Sequence, residues 1–427
     1  MPSFFTDPKA WLDRPLNRLE RIIRTDIRYV LRGGAWLLTG HGVSMVTSLA
    51  LAIVFANLLP SHVYGTYKYV LSIAGILAAV TLPGINTYLA QAVARGQEKT
   101  LLPSIRLRIS WGLGASVLAL GGAVFYVFNA NTELAIALAI VALFIPFFDA
   151  LGLYNTYLQS KRLFKLSIQY FSTTQVLSTL CLIGTAFLTN NLFLILLAYF
   201  IPITLLRLWF LVRTLTAHPP QGGQDTEAGA YGTHLSLVSI PNQISSYLDS
   251  ILLFHYLGPI QLAIYTFGLA PIEQMRGLFK NISPLVLPKL TSRTFAEINH
   301  LLRWRMFWLS VGGVAIAGVY ILIAPFAFSL LFPKYLSSVL ISQLLAGLIA
   351  MRLPGSFFAS VMQSKISFLP KSWLYFGAVP STAFIILLLV LTPLYGVYGV
   401  IASKYVSLIV GGIISGVQWR ILSRRHP

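Results

Sequence analysis

Residues 67–84 read YKYVLSIAGILAAVTLPG, and their reading decides the fold. The run is apolar enough to cross a bilayer as a helix, which takes about 20 residues. Yet Lys68 stands near its start, where a charge is costly unless it reaches water or faces something that needs it. Ser72, Gly75 and Ala79 follow Lys68 at helical spacing and make a small, partly polar stripe. Leu71, Leu77 and Val80 fall elsewhere on the helix, so the stripe is expected to face a cavity.

Similar apolar runs recur along the chain. Of 427 residues, 56% are hydrophobic and 10% charged, and the mean hydropathy is +0.75. An ordinary soluble domain carries about 25% charged residues. A membrane β-barrel would instead alternate polar and apolar positions. The reading is therefore an all-α integral membrane protein with twelve transmembrane helices in two parallel six-helix bundles. The spans fall near 35–59, 63–90, 107–129, 133–157, 167–189 and 191–213, then 235–257, 261–285, 304–328, 336–362, 372–393 and 396–420. Residues 215–232 contain HPPQGGQDTEAGAYG and read as a cytoplasmic linker between bundles at 34–214 and 233–422.

The net charge is +19, but the basic residues lie in short connections, which argues against nucleic acid as partner. Lys and Arg collect on one side, and the opposite connections hold only Lys334, so both termini are expected inside. Residues 1–33 carry a basic amphipathic helix, with Leu12, Leu16, Leu19 and Ile23 on one face and Arg14, Arg18 and Arg21 on the other. Such a segment rests on the anionic inner leaflet and its membrane lipids. No cleavable signal peptide is expected. Cys181 falls within a span, and the seven histidines do not pair at metal-ligand spacing, so neither cofactor nor metal is expected.

The halves resemble each other where spans 1–2 and 7–8 meet. LLPSHVYGTYKYVLSIAG aligns with YLGPIQLAIYTFGLAPIE, so that Tyr67 matches Tyr265, Gly65 matches Ala263 and Tyr69 matches Phe267. Parallel repeats suit alternating access, with substrate near the midplane between them.

Eight ionisable residues fall within the spans: Lys68, Asp149, Arg207, Asp249, Glu273, Arg276, Arg352 and Lys404. Such residues face the bundle interior, pair, or line a pathway. Lys68, Arg276, Arg352 and Lys404 are the candidate substrate-binding residues. Asp249, Glu273, Asp149 and Asn242 are candidate orienting or coupling groups. Asn242, Ser245, Ser246 and Asp249 form one polar face, and Pro241 is expected to loosen that helix. Glu273 and Arg276 can pair three residues apart. Pro354 is expected to break the helix after Arg352, and Arg207 to snorkel to the interface.

YGTYKYVLSIAGILAAVTLPGINTYLAQAVARG and LGPIQLAIYTFGLAPIEQMRGLFKNISPLVLPKLTSR resemble the second- and eighth-helix regions of bacterial polysaccharide flippases. The resemblance rests on Tyr64-Gly65-Thr66-Tyr67, Leu82-Pro83-Gly84, Ala94-Arg95-Gly96, Pro284 and Leu287-Pro288-Lys289-Leu290. That family belongs to the multidrug/oligosaccharidyl-lipid/polysaccharide exporter superfamily. The resemblance implies translocation of a polyprenyl-diphosphate-linked oligosaccharide across the bacterial inner membrane. It also implies a non-enzymatic monomer feeding a polysaccharide polymerase or ligase. A multidrug or cation exporter of the same superfamily is the alternative, but it wants an acidic cavity, and the first span holds no carboxylate. An enzyme that polymerises glycans would bring a large outer loop, which this chain lacks.

Overall fold

A computed structural model describes residues 27–225, 228–280, 290–291, 293–365, 368 and 371–425. The amphipathic segment up to residue 26, and the motif positions 284 and 287–289, lie outside the described residues. The elements are α1 (Ile27–Leu58), α2 (Ser61–Leu77), α3 (Ile85–Ala94), α4 (Leu101–Phe128), α5 (Thr132–Phe148) and α6 (Leu153–Ser160). They continue as α7 (Phe164–Leu188), α8 (Leu192–Ala217), α9 (Ala228–Lys280), α10 (Phe295–Leu331), α11 (Ser338–Ser364) and α12 (Val379–Arg425). Among the described residues, nine helical stretches are long and apolar enough to cross a membrane. Two of these lie in α9 and α12, which bend back at Gly258 (φ 79°) and Gly396 (φ 55°). Positive φ is available to glycine at no steric cost, so one residue makes each turn.

Proline acts differently from the expectation. The stretch read as one span over 63–90 is two helices, because α2 ends at Leu77 and the chain turns through Leu82 (φ 57°), Pro83 and Gly84. The stretch 133–157 likewise divides into α5 and α6, with Asp149 capping α5. By contrast α9 runs unbroken through Pro241, and α11 through Pro354. A proline inside a packed apolar helix loses one backbone hydrogen bond, and neighbouring helices hold the rest.

The two halves meet along α2 and α9. Gly65 lies so close to Pro259 that a Cβ there would fall 1.9 Å from its carbonyl oxygen. Tyr64 stacks on Phe267 at 4.4 Å and Tyr69 on Phe254 at 3.9 Å. Lower down, Gly75 admits the Tyr247 ring, and Gln243 Nε2 donates to the Gly75 carbonyl at 3.2 Å. The repeat-related Tyr67 and Tyr265 are both buried in this region.

The ends of the molecule differ. At the end with few basic residues, one hydrophobic core joins both halves through Phe55, Tyr64, Phe267, Phe332 and Tyr335. Asn57 Nδ2 donates to the Leu331 carbonyl at 3.1 Å, and Lys334 Nζ to the Asn57 carbonyl at 2.5 Å. At the basic end the cores are separate. One, around Leu89, Tyr157 and Phe210, belongs to the first half. The other, around Phe295, Phe357 and Trp419, belongs to the second.

Candidate functional site

Between the halves lies a cavity of 780 Å³. It is lined by the four candidate binding residues Lys68, Arg276, Arg352 and Lys404 and the four candidate orienting groups Asp249, Glu273, Asp149 and Asn242; of the ionisable residues within the expected spans, Arg207 is not part of the lining. The reason is local. Each sits on the one face of its helix that is not needed for apolar packing, and helical spacing keeps those faces together. On α2 the lining face is Lys68, Leu71, Ser72, Gly75 and Ala78. Leu71 therefore joins the stripe, whereas Ala79 leaves it and is buried, because the helix has ended at Leu77.

The ionisable groups fall into two networks. In the second half, Glu273 accepts from Arg276 at 3.0 Å and from Arg352 at 3.1 Å. Arg352 is the more buried of the two arginines, so Arg276 is the arm that extends into the cavity. Nearby, Asp249 is only 3% exposed and accepts from Lys404 Nζ and from the Tyr265 hydroxyl, both at 2.7 Å. The Lys404 ammonium also lies over Phe384, 5.3 Å from the ring centre. These contacts satisfy charges that would be costly to bury alone.

In the first half, Asp149 sits between Arg207 at 3.7 Å and Arg108 at 3.9 Å. Arg207 does not snorkel. Its guanidinium donates to the Phe148 carbonyl and stacks on the Phe148 ring at 4.5 Å. Arg108, at the start of the span expected at 107–129, is buried and donates to Asn86 Oδ1 at 3.0 Å. Its position within α4, which starts at Leu101 rather than 107, carries it into the helix packing.

Lys68 belongs to neither network. It has no carboxylate partner among the described residues. Its ammonium lies 5.5 Å from the centre of the Tyr64 ring and opens on the cavity, two turns inside α2. Phe148, Tyr199 and Tyr247 add an aromatic wall that the sequence reading missed. No local signal separates these aromatics from the chain's many packing aromatics.

At the basic end the linker is docked rather than free. The Gln221 amide donates to Glu98 at 3.0 Å, and the Asp225 amide to Thr100 Oγ1 at 2.9 Å. Arg95 pairs with Asp225 at 3.0 Å, and Lys161 with Glu98 at 2.9 Å. Burial alone would push the Lys161 ammonium down, but Glu98 and the Tyr157 hydroxyl outweigh it and hold its pKa above the ordinary lysine value. Gly84 is required beside the start of α9, where a Cβ would fall 2.6 Å from the Ser236 nitrogen.

Comparison with known proteins places this geometry in context. Residues 30–280 match the family model described as polysaccharide biosynthesis protein. No curated protein matches the chain. Among solved structures, the lipid II flippase MurJ in an inward closed conformation is similar at TM-score 0.68 and 14% identity, over 90% of this chain and 87% of that one. MATE in complex with MaD5 is similar at TM-score 0.59 and 16% identity, over 94% and 98%. A MOP superfamily transporter from Pyrococcus furiosus, described by the reverse polarity of its binding pocket, is similar at 0.57 and 15%, over 92% and 96%. At these identities the likeness shows the fold alone.

Proposed function

As a member of the polysaccharide biosynthesis protein family, this chain, we propose, flips a polyprenyl-diphosphate-linked oligosaccharide from the cytoplasmic to the outer leaflet. The reading rests on one observation above all. The cavity between the halves is lined by four cations and three carboxylates, and Lys68 alone lacks a carboxylate partner among the described residues. A diphosphate supplies the missing anion. It also competes with Glu273 for the exposed Arg276 fork, which suits phosphate oxygens.

The topology completes the proposal. Counting α2 with α3 as one crossing, α5 with α6 as another, and each arm of α9 and α12 as one, gives twelve crossings in two six-helix bundles. The basic end is then cytoplasmic by the distribution of Lys and Arg. In that orientation the molecule is sealed outside by the shared core and its halves have separate cores inside. The substrate's headgroup enters from the cytoplasmic side while its polyprenyl tail stays in lipid. Reversal of the two seams exposes the cavity outward. Each net negative charge moved outward gains about 2.3 kcal/mol per 100 mV of inside-negative potential. The chain would work in the bacterial inner membrane, as a monomer without cofactor, ahead of a polymerase or ligase.

The test is transport by the purified protein in proteoliposomes, with a fluorescent short-chain polyprenyl-diphosphate glycan and an imposed potential. The expected result is flipping that quickens when the side bearing the basic end is negative. Absence of flipping together with expulsion of a cationic dye would replace this reading with a multidrug exporter.

A further inference from the structure

Asp149 differs from the other two cavity carboxylates. Asp249 and Glu273 spend their oxygens on close hydrogen bonds from Lys404, Tyr265, Arg276 and Arg352. The Asp149 carboxylate is one-third exposed to the cavity and receives no hydrogen bond from any described side chain. Its two guanidinium neighbours stand at 3.7 and 3.9 Å, beyond hydrogen-bond distance. Each is held there by another acceptor, Arg108 by Asn86 and Arg207 by the Phe148 carbonyl. The carboxylate is therefore anchored electrostatically while its lone pairs remain unspent.

Beside it, Phe148 and Tyr199 lie with rings 5.8 Å apart and 27° between planes, and both line the cavity. An aromatic face carries partial negative charge and attracts the weakly positive C–H edges of a ligand. A carboxylate accepts from hydroxyls. An aromatic face with an adjacent, unspent carboxylate fits a pyranose ring. The charge balance narrows the class further. Two guanidiniums beside one carboxylate leave the locality positive, which disfavours a cationic ligand. An acidic sugar would set its own carboxylate against that of Asp149, while both guanidiniums are already engaged by Asn86 and the Phe148 carbonyl.

We propose that Asp149, Phe148 and Tyr199 form a sugar subsite that takes an uncharged hexose, the one next to the diphosphate. This rests on the flippase reading and divides its cavity in two. The headgroup lies toward Lys68 and Arg276, and the sugar against the first-half wall. A cavity of 780 Å³ accommodates a diphosphate and a short saccharide.

The experiment compares binding of three soluble probes to the purified full chain. These are a short-chain polyprenyl diphosphate, its neutral hexosyl derivative, and its hexuronosyl derivative. The expected wild-type result is about tenfold tighter binding of the hexosyl probe than of the bare diphosphate, with no such gain for the acidic sugar. In the Phe148→Leu/Tyr199→Leu variant the ratio should fall to about one. Asp149→Asn preserves shape and serves if that variant does not fold; its ratio should fall to about threefold. Wild-type binding of the bare diphosphate with no gain from the hexose would overturn the subsite and leave the flippase reading intact. A tenfold gain that survives both variants would overturn the assignment to this wall. Binding of none of the probes would overturn the flippase reading itself.

Discussion

At the scale of single residues, the account turns on which buried charges are paired. Asp249 and Lys404 are both largely buried and meet at 2.7 Å. Removing one partner of such a pair leaves an uncompensated charge and costs about 3–5 kcal/mol, whereas replacing both with apolar groups is often neutral. Asp249→Asn should therefore lower the denaturation midpoint of the purified protein markedly, and Asp249→Leu/Lys404→Met should recover most of it. A double variant no more stable than the single one would show that the pair is not what holds this region. The cavity charges were legible in the sequence because a charge in an apolar run stands out against its surroundings. Their partners were not. Lys404 and Asp249 are 155 residues apart, and Arg352 and Glu273 are 79 apart. Arg108 carried no signal because it stands beside Arg106 at the edge of the span expected at 107–129, where a basic flank is ordinary.

At the scale of elements, the seam between α2 and α9 demands small residues. A side chain at Gly65 must displace the Pro259 backbone, which is not the far end of a flexible chain. Gly65→Val should therefore reduce the yield of folded protein on size-exclusion chromatography. Gly114→Ala, with nothing within 4 Å, should leave that yield unchanged. The docked linker gives a second prediction. Glu98→Gln removes the carboxylate shared by Lys161 and the Gln221 amide, so the unspecific protease proteinase K should cut the linker region several-fold faster. Lys161 is held above the ordinary lysine value of 10.5, so it stabilises the docked linker more in its charged form. That contribution is complete below 10.5 and is lost as pH rises through the raised folded value. Linker protection in wild type should be constant from about pH 7 up to 10.5 and fall only as pH rises beyond that ordinary lysine value. The spans themselves were readable from apolar length, but their ends were less so. Pro83 accompanies a real break, whereas Pro241 and Pro354 sit within continuous helices, and the difference is set by packing around each proline.

For the whole molecule, on the proposed function, the separate cores at the basic end and the shared core at the other are one of two alternating states. Transport requires the shared core to part, including the contacts of Asn57 with Leu331 and Lys334. Joining positions 57 and 334 through introduced cysteines and a short cross-linker, in a Cys181→Ser background, should stop flipping while probe binding persists. Continued flipping with the joint intact would place the moving seam elsewhere. The sequence alignment sets Tyr67 against Tyr265 and Tyr69 against Phe267, and all four are buried. The contact of Tyr64 with Phe267 across the seam was not legible, because only the folded chain brings residues so far apart in sequence together. The central claim is that Lys68 stands in the cavity to meet an anionic headgroup. Its most direct test is the flipping rate of Lys68→Ala in proteoliposomes, matched to wild type for inserted protein. A loss of at least tenfold, partly restored by Lys68→Arg, is the predicted result. A wild-type rate in Lys68→Ala would contradict it and leave Lys68 as a charge that merely reaches for water.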